Sequence, residues 1–316
     1  MAAAFASTWI ATDGKAGMES QCLGLATALG AEPSVKRIAL RTPWRLLSPF
    51  LQWDLRHAFR DSPLVPPWPE LLIATGRQSV PASLYLRQTA PRTRRVQIQD
   101  PGIDPKNFDL VIAPAHDSLK GPNIIETIGA LHGVTPAKLR AAADHLAANL
   151  VPLPRPYIGV LIGGANKAYR FGVPEVSDLA AALVSAAREM HGSLLVTPSR
   201  RTGADNLTIL KNTIGRVPNF VWDGEGSNPY FGILGIADVL LVTSDSVNMV
   251  TEACASGKPV YVYHLPGGTR KFTRFHDVLQ SHHHARPFQG SLEPWPAVTL
   301  DEMPVVAATV RRMLTR

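Results

Sequence analysis

The sequence predicts an α/β protein built from two Rossmann-like, doubly wound domains that face a cleft. Short apolar runs typical of β-strands alternate with helical segments along the chain, which indicates a mostly parallel sheet covered on both faces. Three prolines within five residues, from Pro152 to Pro156, interrupt this alternation, and it restarts beyond them. We therefore expect a first domain over residues 1–150, a second over 151–300, and a C-terminal helix over 301–316 that packs back on the first.

The first half opens with a predicted strand, Thr8–Thr12, followed by a Gly-rich turn and a helix that Gly30 ends. The later elements are predicted in the same way, from β-type runs bounded by turn residues and from longer periodic segments between them. The remaining strands are Val35–Leu40, Leu71–Thr75, Val96–Gln99, Leu110–Ala113 and Asn123–Thr127, and the helices are Pro43–Phe59, Val80–Gln88 and Pro136–Asn149.

In the second half, strands and helices alternate more regularly, and the last predicted turn lies between Val239–Thr243 and a helix that ends at Gly257. Ligands of doubly wound folds sit at the carboxyl ends of the strands, and the expected active site is a cleft between the two halves. The other predicted elements are the strands Tyr157–Ile162, Ser193–Thr197 and Asn219–Trp222, a strand from Val260, and the helices Val176–Met190 and Asp205–Ile214.

Composition narrows the class of protein. The chain has 316 residues with 45% hydrophobic content, and no run of 18 apolar residues could span a membrane. Residues 1–7 lack the basic and apolar regions of an export signal, so we expect a cytoplasmic protein. The two cysteines, Cys22 and Cys254, fall on apolar helix faces and are expected to be buried thiols rather than a disulfide.

The charge balance favours anionic partners. There are 32 Lys and Arg residues against 25 Asp and Glu, with an Arg-rich stretch from Arg87 to Arg95. No zinc-ligand set, helix-turn-helix pattern or basic-aromatic strand signature supports nucleic acid. A phosphorylated small molecule or peripheral contact with an acidic inner membrane fits the charge, and a merely solvated surface fits it nearly as well.

The segment Ser244–Val260 is the most informative part of the sequence. It follows an apolar strand directly, so its turn would point N–H groups and a helix N-terminus at an anion, with Ser244 and Ser246 leaving room for it. Asp245 and Met249 belong to the same turn and helix. Glu252 is predicted on the face opposite Met249, where its oxygens could accept both hydroxyls of a ribose. The alternative is that any parallel strand-to-helix junction has this appearance.

Two more loops follow predicted strands of the second half and carry the groups that a diphosphate requires. One has two glycines and two cations, and the alternative is a flexible surface loop. The other has an Arg pair that could grip phosphate bidentately, although exposed Arg pairs are common. The predicted donor-side residues are Gly163, Gly164, Asn166 and Lys167 in the first loop and Ser199, Arg200, Arg201 and Thr202 in the second.

The first half offers candidates for the chemical step and for holding an acceptor. Asp13 follows the first strand and is the preferred general base. The glycines of this turn, Gly14 and Gly17, lack the spacing of a P-loop or a dinucleotide fingerprint, so binding of ATP or NAD is not supported. The alternative is a tight turn with a solvated lysine. The acceptor-side candidates are Gly14, Lys15, Gly17, Gln21, Arg77 and Asp100.

His116, beside Asp117, is the reserve base, because histidine titrates nearest to neutrality. Such neighbour pairs are more often satisfied loop contacts. The run His282–His284 suggests metal binding, but consecutive histidines in a loop rarely converge on one ion, so a solvated turn is favoured and no metal site is predicted.

Taken together, these motifs resemble the bacterial branch of the mitochondrial fission (elongated mitochondria) protein family, which is associated with glycosyltransferase activity. The similarity covers nearly the whole chain. It rests on Asp13-Gly14-Lys15-x-Gly17-x-x-x-Gln21, Ile162-Gly163-Gly164-x-Asn166-Lys167, Ser199-Arg200-Arg201-Thr202 and Thr243-Ser244-Asp245-Ser246-Val247-Asn248-Met249. The second half alone is more distantly similar to nucleotide-sugar-dependent GT-B enzymes, through Glu252-Ala253 and Gly257-x-Pro259.

The resemblance implies a GT-B fold with the nucleotide-sugar donor on the second half and the acceptor on the first. It implies a metal-independent glycosyltransferase without a cofactor, acting on an envelope lipid or glycan hydroxyl, in which helix dipoles and cations stabilise the leaving diphosphate. Two alternatives stay open. One is a nucleotide-sugar epimerase of the same architecture, and the other is a non-catalytic adaptor like the eukaryotic fission proteins, which recruit a dynamin-related GTPase.

Overall fold

A computed structural model describes residues 5–61 and 64–315, so most of the N-terminal segment considered for an export signal lies outside the described part. The chain folds into two compact α/β units. One runs up to Gly133 and includes the residues from Asp301 onward, and the other is Val134–Leu300. None of the described helices has the length and apolarity that a bilayer crossing requires.

The first unit is built on a six-stranded parallel sheet in the order β2-β1-β3-β4-β5-β6. Every residue of β1, β3 and β5 is buried, as expected for strands covered on both faces. The strands are β1 Thr8–Thr12, β2 Pro33–Arg37, β3 Leu71–Thr75, β4 Arg94–Ile98, β5 Leu110–Pro114 and β6 Ile124–Thr127, with helices α1 Ala16–Ala28, α2 Trp44–Leu47 and α3 Val80–Thr89.

The helix predicted over Pro43–Phe59 is wrong. Only α2 is α-helical in this stretch, and Leu55–His57 forms a 3₁₀ turn. Ser48 is extended, with ψ of 136°, because the ring of Pro49 disfavours the helical conformation of the residue before it. The segment is instead an irregular arm whose 3₁₀ turn contacts α3.

The second unit has another parallel six-stranded sheet, in the order β12-β11-β10-β7-β8-β9. Its strands are β7 Tyr157–Ile162, β8 Ser193–Pro198, β9 Asn219–Val221, β10 Val239–Thr243, β11 Val260–Tyr263 and β12 Arg286–Pro287. Its helices are α4 Pro136–Asn149, α5 Val173–Glu189, α6 Ala204–Ile214, α7 Tyr230–Ile236, α8 Val247–Cys254 and α9 Arg270–Ser281, and α10 Met303–Leu314 ends the chain.

The boundary between the units lies before α4, not after it as the sequence suggested. Helix α4 packs on α7, where a Cβ on Gly235 would lie 2.4 Å from the carbonyl oxygen of Leu139. Only a residue without a side chain permits that approach, and the sequence did not predict α7 at all. Helix α10 belongs to the first unit, where Met303, Val306 and Val310 pack in the same core as α1.

Candidate functional site

The strand order of the second unit reverses beside β7, whose two neighbours are β8 and β10. In doubly wound folds, ligands bind outside the carboxyl ends of the strands at such a switch point. The loops after β7, β8 and β10 therefore meet at one edge of the sheet. These are the three loops that carry most of the predicted donor-side residues.

Asp245 ties the three loops together from inside. Its carboxylate accepts hydrogen bonds from Gly164 N at 3.0 Å and Thr243 Oγ1 at 2.6 Å, and it pairs with the Arg201 guanidinium at 2.7 Å. The Asp245 side chain has 0% exposure, whereas that of Arg201 has 39%. The sequence predicts that Asp245 contacts the ligand, but in the structure its carboxylate is used to hold the three loops in position.

The Gly163–Gly164 loop has no room for side chains. A Cβ on Gly163 would lie 2.1 Å from Asp245 Oδ2, and one on Gly164 would lie 2.2 Å from the Arg201 carbonyl oxygen. The carbonyl oxygen of Gly163 accepts hydrogen bonds from Ser199 Oγ at 2.5 Å and Thr202 Oγ1 at 2.7 Å. The two hydroxyls thus fix the glycine loop, and their donor hydrogens are not directed at a ligand.

The two arginines after β8 do not act as a pair. Arg201 is engaged by Asp245 and by the Gly164 carbonyl oxygen, 3.3 Å away. Arg200 is exposed, as is Lys167 after β7, and neither forms an ion pair with a described residue. The expected bidentate grip by both arginines is therefore replaced by two separate cations, Arg200 and Lys167, at neighbouring strand ends.

Helix α8 begins at this edge with Ser246 as its N-cap, whose hydroxyl accepts a 3.4 Å hydrogen bond from Met249 N. Ser244 is fully buried, and its hydroxyl accepts a hydrogen bond from Leu265 N at 3.0 Å. Asn166 donates to the Asp245 carbonyl oxygen at 3.1 Å. These side chains shape the turn, and the positive end of α8 is what remains for an anion.

Glu252 is buried, contrary to the exposed face predicted for it, while Met249 is only half-buried. Its Oε2 accepts a 2.7 Å hydrogen bond from the Tyr230 hydroxyl on α7. Burial, together with the charge of Glu252, raises the pKa of Tyr230 well above its usual value, so the phenol stays a donor. The sequence did not predict α7, and so it could not show that Tyr230 on this helix contacts Glu252.

Lys138 on α4 adds a cation to the Glu252 neighbourhood. Its ammonium lies 3.6 Å from the centroid of the Phe231 ring. Burial lowers the pKa of Lys138, and the negative charge of Glu252 acts in the opposite direction. Glu252 thus has both a donor and a positive charge from helices that flank the sheet.

The sequence interpretation missed a fourth loop at the same edge, between β11 and α9. Gly267 pairs with Tyr169 through an antiparallel bridge, and a Cβ on Gly267 would lie 2.3 Å from the Ala168 carbonyl oxygen. Arg270 follows as the first residue of α9. The signal was present in the sequence as Gly267-Gly268 between a strand and a basic helix.

In the first unit the strand order reverses between β1 and β3, and Asp13 lies just beyond β1. Its Oδ2 pairs with the Lys15 ammonium, and its Oδ1 accepts a 3.3 Å hydrogen bond from Lys15 N. Gly14 has a φ of +78°, which glycine adopts at little cost, and Gly17 lies in the first turn of α1. Gly14 and Lys15 are exposed, whereas the side chain of Asp13 is half-buried, with 19% exposure.

The other acceptor-side candidates lie along the same edge. Arg77 follows β3 and is exposed. Asp100 follows β4 and accepts a 2.8 Å hydrogen bond from Gly102 N, as an ordinary turn residue does. Gln21 is buried, and its Oε1 accepts a 3.5 Å hydrogen bond from Gln99.

His116 lies apart from Asp13. It follows β5, three strands from β1 in the sheet order, which corresponds to about 14 Å at the usual strand spacing. Its ring is buried, with Nε2 3.8 Å from Asp117 Oδ1. The two predicted bases cannot serve one proton, and the position at the switch point favours Asp13.

The last histidine of the run His282–His284 has a structural role. His284 is buried, and its Nδ1 lies 2.7 Å from the Val298 carbonyl oxygen. Within residues 5–61 and 64–315, no three His, Cys, Asp or Glu side chains are grouped so that they could hold a metal ion.

Comparison with known proteins places the chain in a family. The sequence profile of mitochondrial fission ELM1 matches residues 16–314. The chain belongs to the mitochondrial fission ELM1 family. It is 30% identical over 283 residues to the mitochondrial fission protein ELM1 of Arabidopsis thaliana, and this match covers 81% of the chain but 65% of that protein. It is 26% identical to the uncharacterized protein RP120 of Rickettsia prowazekii (strain Madrid E), with 96% and 97% of the two chains covered.

Two solved structures share the fold of this ELM1 family member. The UDP-GlcNAc 2-epimerase from Methanocaldococcus jannaschii matches with a TM-score of 0.54 at 10% identity, covering 97% of this chain and 98% of that one. The glycosyltransferase SnogD from Streptomyces nogalater matches with a TM-score of 0.53 at 14% identity, covering 98% and 94%. The predicted two-domain GT-B fold is confirmed.

Proposed function

We propose that this ELM1 family member is a metal-independent glycosyltransferase. It would move a sugar from a nucleoside diphosphate sugar to a hydroxyl on an envelope lipid or glycan, with the donor on the second unit and the acceptor on the first. The donor side of the proposal is supported by the features at the carboxyl end of β7. There, glycines without space for a side chain, the N-terminus of α8 and the exposed cations Lys167 and Arg200 converge.

The donor would bind with its diphosphate at this edge. The positive end of α8 and the cations Lys167 and Arg200 provide the charge that a leaving diphosphate requires. Glu252 would accept the ribose hydroxyls, held in place by Tyr230. Because Glu252 is only 8% exposed, this contact requires the nucleoside to approach it closely beside Tyr230.

In the transfer step, the acceptor oxygen attacks the anomeric carbon while the bond between that carbon and the diphosphate breaks. Asp13 would take the proton of the attacking hydroxyl, and the diphosphate leaves with its negative charge neutralised by the donor edge. The pairing of Asp13 with Lys15 keeps the carboxylate oriented at the carboxyl end of β1. His116 would not take part, because of its distance along the sheet.

Product analysis tests the proposal. The purified protein is incubated with a nucleoside diphosphate sugar, with and without a lipid extract from the cell envelope, and the products are separated by mass. Acceptor-dependent release of nucleoside diphosphate with a glycosylated lipid supports transfer. Release of an isomerised nucleotide sugar without acceptor would instead establish the epimerase alternative, which shares this fold.

The adaptor alternative makes a different prediction. An adaptor needs a partner surface and no nucleotide, so substitutions at the donor edge would leave its interactions unchanged. We propose a cytoplasmic protein that reaches its acceptor at the inner membrane by peripheral contact, and the surface of the first unit suggests where.

A further inference from the structure

The irregular arm of the first unit exposes four large apolar side chains within eight residues. Leu46 is 66% exposed, Leu47 52%, Phe50 69% and Trp53 75%. We call these four residues the apolar patch. Single exposed apolar residues are ordinary on a protein surface, but four large ones within eight residues of one arm indicate a contact site.

The apolar patch is held on a fixed base. Leu55, Ala58 and Phe59 of the same arm are buried in the core beneath it. The Trp44 indole N–H donates to the Trp53 carbonyl oxygen at 3.0 Å, which joins the two ends of the patch. Ser48 donates to the Arg77 carbonyl oxygen at 2.7 Å. The arm is therefore anchored to the unit while its apolar side chains point away from it.

Positively charged residues lie on both sides of the patch in the sequence. Between Lys36 and Arg60 the sequence has six Lys and Arg residues and one acidic residue, Asp54. Four of the arginines, Arg41, Arg45, Arg56 and Arg60, are exposed. The guanidinium groups of Arg45 and Arg60 form no ion pair with any residue in the described part of the chain.

We propose that the apolar patch and its arginines form a docking surface for an anionic lipid bilayer. Trp, Phe and Leu side chains insert at the level of the headgroups, and surrounding arginines bind the anionic lipids. Four side chains are a narrow contact for a protein partner, whose interfaces usually engage about 20–30 residues on each side. This docking surface rests on the peripheral membrane contact proposed above. Binding of lipid at this surface does not require sugar transfer.

The test is co-sedimentation of the full chain with vesicles, which requires no sugar substrate. Vesicles of phosphatidylcholine are compared with vesicles in which part of that lipid is replaced by phosphatidylglycerol, each at low and high salt. We expect binding to the anionic vesicles, weakened by salt. Each well-placed arginine should contribute about fivefold in affinity, so Arg45→Glu/Arg60→Glu should lose more than about twentyfold.

The apolar contribution is tested with Phe50→Ser/Trp53→Ser, for which we expect binding at least about tenfold weaker. Val173→Ser/Val305→Ser removes equally exposed apolar side chains elsewhere and should bind as the unchanged protein does. Arg188→Glu/Arg216→Glu makes the same charge change on the second unit. Because all these positions are exposed, circular dichroism and unfolding curves should match those of the unchanged protein.

Equal binding of both vesicle types, or equal loss in the control variants, would overturn the proposal. So would a self-associating protein that becomes monomeric in the Phe50→Ser/Trp53→Ser variant, because the patch would then be an interface between copies. Failure of vesicle binding leaves the nucleotide-sugar proposal untouched, since calorimetry with nucleotide measures the second unit separately.

Discussion

The two units carry their candidate residues at corresponding places, and they build those places differently. Beyond β7, β8 and β10 the loops are locked together by the buried carboxylate of Asp245. Beyond β1 the half-buried carboxylate of Asp13 bonds, among the described residues, only to its neighbour Lys15, and Gly14 and Lys15 are exposed. Parallel sheets of the same size thus support one rigid edge and one open edge.

The difference indicates distinct roles. A preformed edge loses little conformational entropy on binding and suits one ligand of constant shape, such as a nucleoside diphosphate. A turn without contacts to neighbouring loops can adapt to a larger or variable molecule. If the second edge is the more tightly packed one, substitutions there should lower the free energy of unfolding more than substitutions at the first edge.

The largest effect is expected for Asp245→Ala. The substitution leaves Gly164 N, Thr243 Oγ1 and the Arg201 guanidinium without their acceptor. Because Arg201 is partly exposed, we expect a loss near the low end for a broken buried pair, about 3 kcal/mol in the free energy of unfolding. Urea unfolding measures it. Asp205→Ala, at an exposed position on α6, should change that free energy by about 0.5 kcal/mol or less. Similar losses in both variants would contradict the anchoring role of Asp245.

Glycine substitutions compare the two edges directly. Alanine at Gly163 would place its Cβ 2.1 Å from Asp245 Oδ2, so we expect a loss of about 2–3 kcal/mol from overpacking. Alanine at Gly14 meets only Arg37 Cδ at 3.7 Å, and its φ of +78° costs about 1 kcal/mol. Thermal unfolding of both variants provides the measurement. An equal or larger loss at Gly14 would mean that the first edge is the tighter one.

The Tyr230→Phe variant probes the Glu252 neighbourhood through pH. Burial, together with the charge of Glu252, raises the pKa of Tyr230 in the folded protein, so the unfolded phenol ionises first. The corresponding stability is complete below about pH 10 and is lost as the pH rises toward the folded pKa.

We therefore expect the variant to lose stability less steeply above about pH 10, as measured by urea unfolding over a pH series. Burial also raises the pKa of Tyr169 and Tyr263, so the slope should decrease without vanishing. An unchanged slope would show that Tyr230 is solvated in the folded state.

The smallest effect concerns a property that the two units share. Cys22 and Cys254 are both buried, and burial raises the pKa of each thiol. Neither thiol should react with Ellman's reagent in the folded protein, and both should react in denaturant. Rapid reaction of one thiol in the folded protein would reveal local opening of its unit.

The strands were the most predictable part of the fold. Thr8–Thr12, Leu71–Thr75, Tyr157–Ile162 and Val239–Thr243 form as predicted, because each is an apolar run of strand length bounded by turn residues. Helices α7 and α9 were missed. Gly232 and Gly235 lower the helix propensity of α7, and tertiary packing against α4 compensates, which no local pattern reveals.

The position of the candidate site in the second unit was predictable from the sequence, but the contacts of its residues were not. Glycines and small polar residues after strands mark the edge, so the loops at Gly163, Ser199 and Ser244 do converge. The sequence cannot show which polar side chain is used internally. Asp245 and Arg201 pair between two loops, and Glu252 on α8 pairs with Tyr230 on α7, so both contacts join residues that are far apart along the chain.

Thermal unfolding in the presence of nucleotide sugars tests whether the second unit binds a nucleoside diphosphate sugar. Across a series of UDP-, GDP- and ADP-sugars, with a CMP-sugar as the monophosphate comparison, we expect one diphosphate class to stabilise the protein, by about 2.7 kcal/mol at 100 times its Kd. Glu252→Ala should abolish this stabilisation, while Asp13→Asn should retain it and lose only sugar transfer. The absence of stabilisation by any nucleotide sugar would contradict the proposed donor site. Full stabilisation of the Glu252→Ala variant would contradict the role of Glu252 in it.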